Sequence, residues 1–87
     1  MKCSNKDARE YVQQCKPFKA NNLFAELRGD TYIVFSYGYH WILFVCKGGV
    51  WYENKEKYSV TTGKHRSQAN PRCETLKVSH EEIRKFY

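Results

Sequence analysis

The fold is decided by residues 41–53, which read WILFVCKGGVWYE. Residues 41–46 are all apolar and are followed by Lys47. An apolar run without alternating polar residues is typical of a strand covered on both faces. Gly48 and Gly49 accept the positive φ angles of a tight hairpin turn, so residues 50–53 are expected to pair back onto the first run. The stretch therefore predicts a hairpin whose first strand lies centrally in a sheet.

A second hairpin is predicted just before the first. Residues 23–28 (LFAELR) and 31–37 (TYIVFSY) are rich in aromatic and branched side chains and flank the turn pair Gly29-Asp30. The two hairpins predict a four-stranded antiparallel meander, and residues 74–78 suggest a short fifth strand. An exposed edge is expected at 23–28 or at 50–53, where a second copy of the chain could pair, so that both a monomer and a homodimer are left open.

Helices are predicted near both ends of the chain. Ser4 is a candidate N-cap, apolar residues recur at helical spacing as far as Cys15, and Pro17 ends a helix of about three turns. Residues 79–82, SHEE, match the S-x-x-E capping box and open a C-terminal helix. Residues 1–87 are therefore expected to form a single α+β domain: a four- to five-stranded antiparallel meander sheet with an N-terminal and a C-terminal helix.

Length and composition restrict the class of protein. The chain has 87 residues, with 15 Lys and Arg against 9 Asp and Glu, and a formal net charge of +6. A domain of this size has little room for a deep substrate pocket beside its core. No apolar run reaches the roughly 18 residues that a membrane span needs, and the N-terminus lacks the apolar part of a secretory signal. A cytoplasmic protein without a membrane partner is expected.

The cysteines are expected to be reduced, and neither metal nor cofactor is expected. Their spacing lacks the C-x-x-C pairs of structural zinc sites. Cys15 and Cys46 stand where a small apolar side chain would fit, and free cysteine often behaves as one. A composite metal site is left open, built from Cys3, Cys15, Cys73 and His65 or His80.

Residues 55–72 hold two thirds of the net charge, with five basic side chains and one acidic one. Basic groups release counterions when they contact phosphates, hydroxyl and amide groups position the nucleic-acid backbone, and tyrosine stacks on unpaired bases. The segment therefore predicts a surface that contacts DNA or RNA. The candidate nucleic-acid-binding residues are Lys55, Lys57, Tyr58, Thr62, Lys64, His65, Arg66, Gln68 and Arg72. The alternative is a solvated connector whose charge keeps the protein soluble.

The turn around Gly38 is a second candidate surface. Its aromatic and imidazole side chains belong to Tyr37, Tyr39, His40 and Trp41. Tyrosine and tryptophan are enriched among the residues that dominate protein–protein binding, so this turn predicts a docking edge for a bacterial host protein. The alternative is that the rings close the core at a strand end with their polar atoms in water.

No pattern of residues indicates catalysis. His40 and Cys46 lie six residues apart on one predicted strand, a separation of about 20 Å. The acidic residues show no convergent spacing, and Gly48-Gly49 joins two strands instead of opening a helix around a phosphate. A non-enzymatic protein with no catalytic residue is therefore expected.

Several short motifs resemble a family signature. They are W-Y-x-N at 51–54, K-Y-S-x-T-T at 57–62 and K-H-x-S-Q at 64–68, together with Y-G-Y-H at 37–40 and NNLFAE at 21–26. This combination resembles small uncharacterised accessory proteins encoded by tailed bacteriophages. The resemblance implies an accessory protein of the bacterial host cytoplasm and transfers neither a cofactor nor a catalytic residue.

Two functions follow as hypotheses. The first is nucleic-acid binding through residues 55–72. The alternative is inhibition of a bacterial host enzyme or defence system, of the anti-CRISPR or host-takeover type, through the aromatic residues at 37–41.

Overall fold

The computed structural model describes residues 7–20, 23–36, 41–56, 69, 71 and 74–86. These residues form one sheet whose strands lie side by side in chain order. The elements are α1 (Ala8–Gln13), β1 (Phe18–Ala20), β2 (Leu23–Arg28), β3 (Thr31–Ser36), β4 (Ile42–Lys47), β5 (Val50–Asn54), β6 (Leu76–Val78) and α2 (His80–Arg84). The predicted α+β class, with a helix near each end, is confirmed.

The sheet differs from the predicted one in strand number and direction. β1 to β5 pair antiparallel, whereas β6 runs parallel to β5, so the described residues form a six-stranded mixed sheet. The prediction of four to five purely antiparallel strands was wrong. β1 is too short to show a period in the sequence. β6 can run parallel because residues 55–75 exceed the dozen or so residues that a parallel return needs.

The edges of the sheet also differ from the prediction. β1 pairs with residues 23–25 of β2 and β6 pairs with residues 52–54 of β5, so the two segments expected at an edge, 23–28 and 50–53, are internal over about half of their length. Short edge strands leave few unpaired backbone groups for another chain to pair with. Pairing with a second copy of the chain stays a prediction.

The sheet separates two apolar clusters, each covered by one helix. Neighbouring residues of a strand point to opposite faces, and in β3 Tyr32 and Val34 join one cluster while Ile33 and Phe35 join the other. The first cluster includes Ala8 and Val12 of α1. The second includes Ile83 of α2. The two helices therefore cover opposite faces.

β4 is covered on both faces, as its sequence predicted. Residues 42–45 are at most 1% exposed. The register of β4 against β3 shifts at Leu43, which is the extra residue of a β-bulge. The bulge changes the alternation, so that Ile42 and Val45 face the same cluster although they are three residues apart. Because both faces of β4 are covered, residues 41–47 show no apolar–polar alternation.

α1 ends in a Schellman motif. The N–H of Lys16 donates to the Tyr11 carbonyl at 2.9 Å, and the N–H of Cys15 donates to the Val12 carbonyl at 3.0 Å. Cys15 has φ 53°, in the left-handed region where glycine usually stands. The helix therefore stops earlier than Pro17 alone implied, and the described helix has 6 residues instead of about three turns. The predicted N-cap, Ser4, lies outside the described residues.

Cys15→Gly is expected to raise the free energy of unfolding by about 1 kcal/mol, because a left-handed backbone costs a non-glycine residue roughly 1–2 kcal/mol. Urea denaturation measures the change. Cys15→Ala is the matched control, since it removes the same sulfur but keeps the Cβ atom, and it should bring no gain. Equal stabilisation by both variants would locate the effect in the thiol and contradict the backbone argument.

Candidate functional site

The candidate functional site lies at the end of the sheet where β3, β5 and β6 finish and β4 begins. Ser36, the last residue of β3, donates its backbone N–H to the Trp41 carbonyl at 3.0 Å. Parallel pairing brings the ends of β5 and β6 together. Both predicted contact segments are joined to the sheet here, because residues 37–40 connect β3 to β4 and residues 57–68 belong to the connection that leaves β5.

Asn54 is the centre of a hydrogen-bond network that joins β4, β5 and α2. Its side chain is fully buried, with 0% exposure. Nδ2 donates to the Ile42 carbonyl at 2.9 Å and lies 3.1 Å from Nδ1 of His80. Oδ1 accepts from the backbone N–H of Glu56 at 2.9 Å. The partners on both sides of the amide determine its orientation.

His80 is held between Asn54 and Trp41. The amide nitrogen of Asn54 can only donate, so Nδ1 of His80 accepts and the neutral ring carries its proton on Nε2. The imidazole stacks on the indole of Trp41, with ring centroids 4.1 Å apart and planes inclined by 17°. Trp41 is 8% exposed. The indole of Trp41 therefore covers one face of the His80 ring.

Acidic side chains hold the N-terminus of α2. Oγ of Ser79 accepts from the backbone N–H of Glu82 at 3.2 Å, and Oε1 of Glu82 accepts from the backbone N–H of Ser79 at 3.3 Å. This is the capping box that the sequence predicted, and the prediction is confirmed. Oε2 of Glu56 accepts from the backbone N–H of His80 at 2.7 Å. Both carboxylates complement the positive end of the helix dipole.

The capping box lowers the pKa of Glu82 below its ordinary value of 4.5. The main causes are the hydrogen bonds from the backbone and side chain of Ser79; Lys55 and Lys85 add attraction, and desolvation opposes the shift. A carboxyl whose pKa is lower in the folded protein contributes stability above its ordinary pKa. It loses that contribution as the pH falls through the folded value.

Glu82→Gln is expected to lower the melting temperature near neutral pH, because the amide is a weaker acceptor than the carboxylate. The difference from wild type should shrink as the pH falls below 4.5 and through the lower pKa of the folded protein, where Glu82 takes up its proton. Glu81→Gln is the matched control, since Glu81 is exposed and takes no part in the capping box. A loss that is the same at all pH values would contradict the assignment.

The network holds the ends of two strands and of one helix in place. It ties the start of β4, the end of β5 and the start of α2 together through one amide, one imidazole and one carboxylate.

In the part of the chain that the structure describes, no three or more His, Cys, Asp or Glu residues gather in a way that could hold a metal ion. Cys15 and Cys46 are half-buried and pack against the α1 cluster. Cys3, Cys73 and His65 lie outside the described residues.

Most of the predicted nucleic-acid-binding residues lie outside the described residues. Lys55 is described and exposed, and its backbone N–H donates to the Val78 carbonyl of β6 at 2.9 Å. The residues that are not described are Lys57, Tyr58, Thr62, Lys64, His65, Arg66, Gln68 and Arg72. The far end of the segment is visible at residues 69 and 71.

Ala69 and Pro71 hold the far end of the basic segment against α1. Ala69 is 0% exposed and belongs to the α1 cluster. Pro71 is buried, and its carbonyl accepts from Nε2 of Gln13 at 3.1 Å. Residues 57–68 therefore run between two points that are attached to the fold, one at Lys55 and one at Ala69.

The predicted aromatic edge is described only at Trp41. For Trp41 the sequence left two alternatives open, an exposed recognition edge or a ring that closes the core; the indole is buried and stacks on His80, which favours the second. Tyr37, Tyr39 and His40 lie outside the described residues, and their role in partner binding stays a prediction.

The residues of the network were missed by the sequence-based reasoning. Two sequence signals could have drawn attention to these residues. Asn54 is a polar residue at the end of an aromatic strand, and His80 is the second residue of the capping motif SHEE. Neither signal says that the two side chains meet, because they belong to elements separated by the long connection between β5 and β6.

The described residues define a small α+β protein in which a mixed sheet carries one helix on each face. The chain belongs to a family of unknown function, DUF8033, which matches residues 7–85. No curated protein and no solved structure matches the chain. Neither described helix has the length and apolar character required to span a bilayer.

Proposed function

We propose that this protein is a small, basic, non-enzymatic protein that binds the phosphate backbone of DNA or RNA through residues 55–72. The observation that carries the proposal is the attachment of this +4 segment at both ends. Lys55 is bonded to β6, and Ala69 is buried against α1. Attached ends reduce the conformational entropy that a charged connector loses when it binds.

The attachment argues against the interpretation of 55–72 as a solvated connector alone. Ala69 packs in the α1 cluster, and Gln13 of α1 donates to Pro71. A connector that served only solubility has no need of these contacts, whereas a contact surface needs its charges held near one part of the fold. The resemblance to phage accessory proteins supports a further part of the proposal, that the protein acts in the cytoplasm of a bacterial host.

Salt dependence tests the proposal. Fluorescence anisotropy of a labelled duplex and a labelled single strand, measured between about 50 and 200 mM salt, reports the number of phosphates contacted. Contacts by all five basic side chains of the segment would give a log–log slope of about −4 to −5 on duplex DNA. Undetectable or salt-independent binding to both strands and duplexes would refute the proposal.

Lys64→Gln combined with Arg66→Gln is expected to reduce the magnitude of this slope by about 2, because each lost phosphate contact removes about one unit. Lys19→Gln combined with Lys77→Gln is the matched control. It removes the same charge from exposed positions on β1 and β6, outside the segment. Equal effects of both double variants would assign the binding to net charge and not to this segment.

A host-protein inhibitor acting through Tyr37, Tyr39 and His40 is the competing proposal. Trp41 adds little accessible surface to that set, since it is 8% exposed. Capture from a bacterial lysate treated with nuclease separates the two functions. A single stoichiometric partner that survives the treatment, and is lost on Tyr39→Ala, would favour inhibition.

A further inference from the structure

A groove of about 340 Å³ lies between α2 and the face of β4, β5 and β6 that α2 covers. Its lining residues are Lys47, Tyr52, Val78, Glu82, Lys85 and Phe86. Binding sites for small molecules usually measure about 300–1,000 Å³, so the groove is suited to a ligand at the small end of that range.

The floor of the groove is aromatic. The rings of Tyr52 and Phe86 have centroids 4.6 Å apart and planes inclined by 36°. Both side chains are half-buried and pack against the α2 cluster, so part of each ring stays accessible. Accessible aromatic rings of this kind are platforms on which unpaired bases stack.

The groove also carries positive charge. Lys47 and Lys85 are exposed at its rim. The carboxylate that lines the groove, Glu82, is bonded to the backbone and side chain of Ser79. Lys85 and Glu82 attract each other, so the lining of the groove carries two ammonium groups against one carboxylate. Aromatic surface beside two ammonium groups is complementary to a planar base that carries a phosphate.

The groove adjoins the start of the basic segment. Lys55 is the first residue of that segment, and its backbone N–H donates at 2.9 Å to the carbonyl of Val78, which lines the groove. A strand whose phosphate contacts Lys55 would therefore lie beside the groove.

We propose that this groove binds one unpaired nucleotide, with its base against Tyr52 and Phe86 and its phosphate contacted by Lys47 and Lys85. The inference rests on the proposed function and specifies its substrate, a single strand in preference to a duplex. A paired base has both faces stacked on its neighbours and cannot enter the groove. The nucleotide can come from a strand or be free, and the two sources share the same base-plus-phosphate chemistry.

The test compares variants of the groove on a labelled 12-nucleotide single strand and on a duplex of the same length. Tyr52→Leu should weaken single-strand binding about 5- to 150-fold, the range found for the loss of one stacked base, and change duplex binding less than about twofold. Lys47→Gln with Lys85→Gln should reduce the magnitude of the single-strand salt slope by about 1.4. The control is again Lys19→Gln with Lys77→Gln, which should leave the preference for single strands unchanged.

Phe86→Leu protects the test against a folding defect at Tyr52. It removes a second ring of the floor, lies near the end of the chain and keeps an apolar side chain against the α2 cluster. It should also weaken single-strand binding while the melting temperature stays within a few degrees of wild type.

The outcomes separate this inference from the proposed function. Salt-dependent binding that none of the groove variants alters would overturn the groove assignment and leave the function of residues 55–72 standing. If the protein binds neither single-stranded nor duplex nucleic acid, the proposed function fails. NMR titration with adenosine 5′-monophosphate then decides whether the groove binds a nucleotide. Shifts at Tyr52 and Phe86 would then retain a site for a free nucleotide, and their absence would overturn it.

Discussion

Asn54→Ala is expected to lower the free energy of unfolding by about 3–4 kcal/mol. Asn54 is fully buried, and its amide bonds the Ile42 carbonyl, His80 and the Glu56 N–H. Truncation leaves the buried Ile42 carbonyl and the two partly buried partners without these bonds, and an unsatisfied group costs about 1–3 kcal/mol where it cannot reach water. The Ile42 carbonyl accounts for the largest share, because it lies on the central strand. Urea denaturation measures the loss.

Gln14→Ala is the matched control for this prediction. It also removes a side-chain amide, but from an exposed position just after α1, and a change within about 0.5 kcal/mol is expected. A loss below about 1 kcal/mol at Asn54 would show that the network does not hold β4 to β5. The tautomer gives a separate check, since ¹⁵N NMR should find the neutral His80 ring protonated on Nε2.

Ile83→Ala is expected to cost about 3 kcal/mol, within the range of 2–5 kcal/mol found for large-to-small changes in cores. Ile83 is the buried side chain of α2, with 0% exposure, and it packs against β3 and β4. A helix of 5 residues is far too short to persist without tertiary contacts. The helix should therefore detach, and amide exchange in α2 should accelerate more than in β3.

Two neighbouring variants control for the loss of Ile83. Ile83→Val keeps most of the buried volume and should cost about 0.5–1.5 kcal/mol. Arg84→Ala changes the next, exposed residue of the same helix and should leave stability within about 0.5 kcal/mol. Similar losses in Arg84→Ala and Ile83→Ala would mean that helix propensity, and not docking onto the sheet, holds α2.

Detachment of α2 also connects stability to the two proposals. The groove loses its Glu82, Lys85 and Phe86 wall in Ile83→Ala, whereas the basic segment keeps its attachment at Ala69 and Pro71. We therefore expect this variant to lose the preference for single strands while it keeps salt-dependent binding, below its own melting temperature.

Features encoded by neighbouring residues could be predicted from the chain alone. The turn at Gly48 and Gly49 forms as expected, with φ angles of 60° and 78°, because only glycine adopts them without strain. The capping box of Ser79 and Glu82 depends on residues three apart, and it was also found in advance. The burial of β4 followed from its uninterrupted apolar run.

Features that depend on distant partners could not be predicted in this way. β1 is a strand because it pairs with β2 and because Phe18 and Ala20 pack in the α1 cluster. A segment of three residues shows no periodicity from which this could be predicted. The direction of β6 is set by where a connection of about twenty residues returns. For Trp41 the sequence left both an exposed edge and a place in the core open, and the imidazole that stacks on it comes from α2.

The amino-acid sequence alone thus determined local features. Turns, caps and strand burial depend on residues a few positions apart, and the positive charge between 55 and 72 is a count of side chains. Folding alone brought Asn54 to His80, and Tyr52 to Phe86 beside Lys47 and Lys85. The physical reason is that Asn54 and His80 are 26 positions apart, and Tyr52 and Phe86 still further, so the path of the chain between them sets the distance and not the identity of either residue.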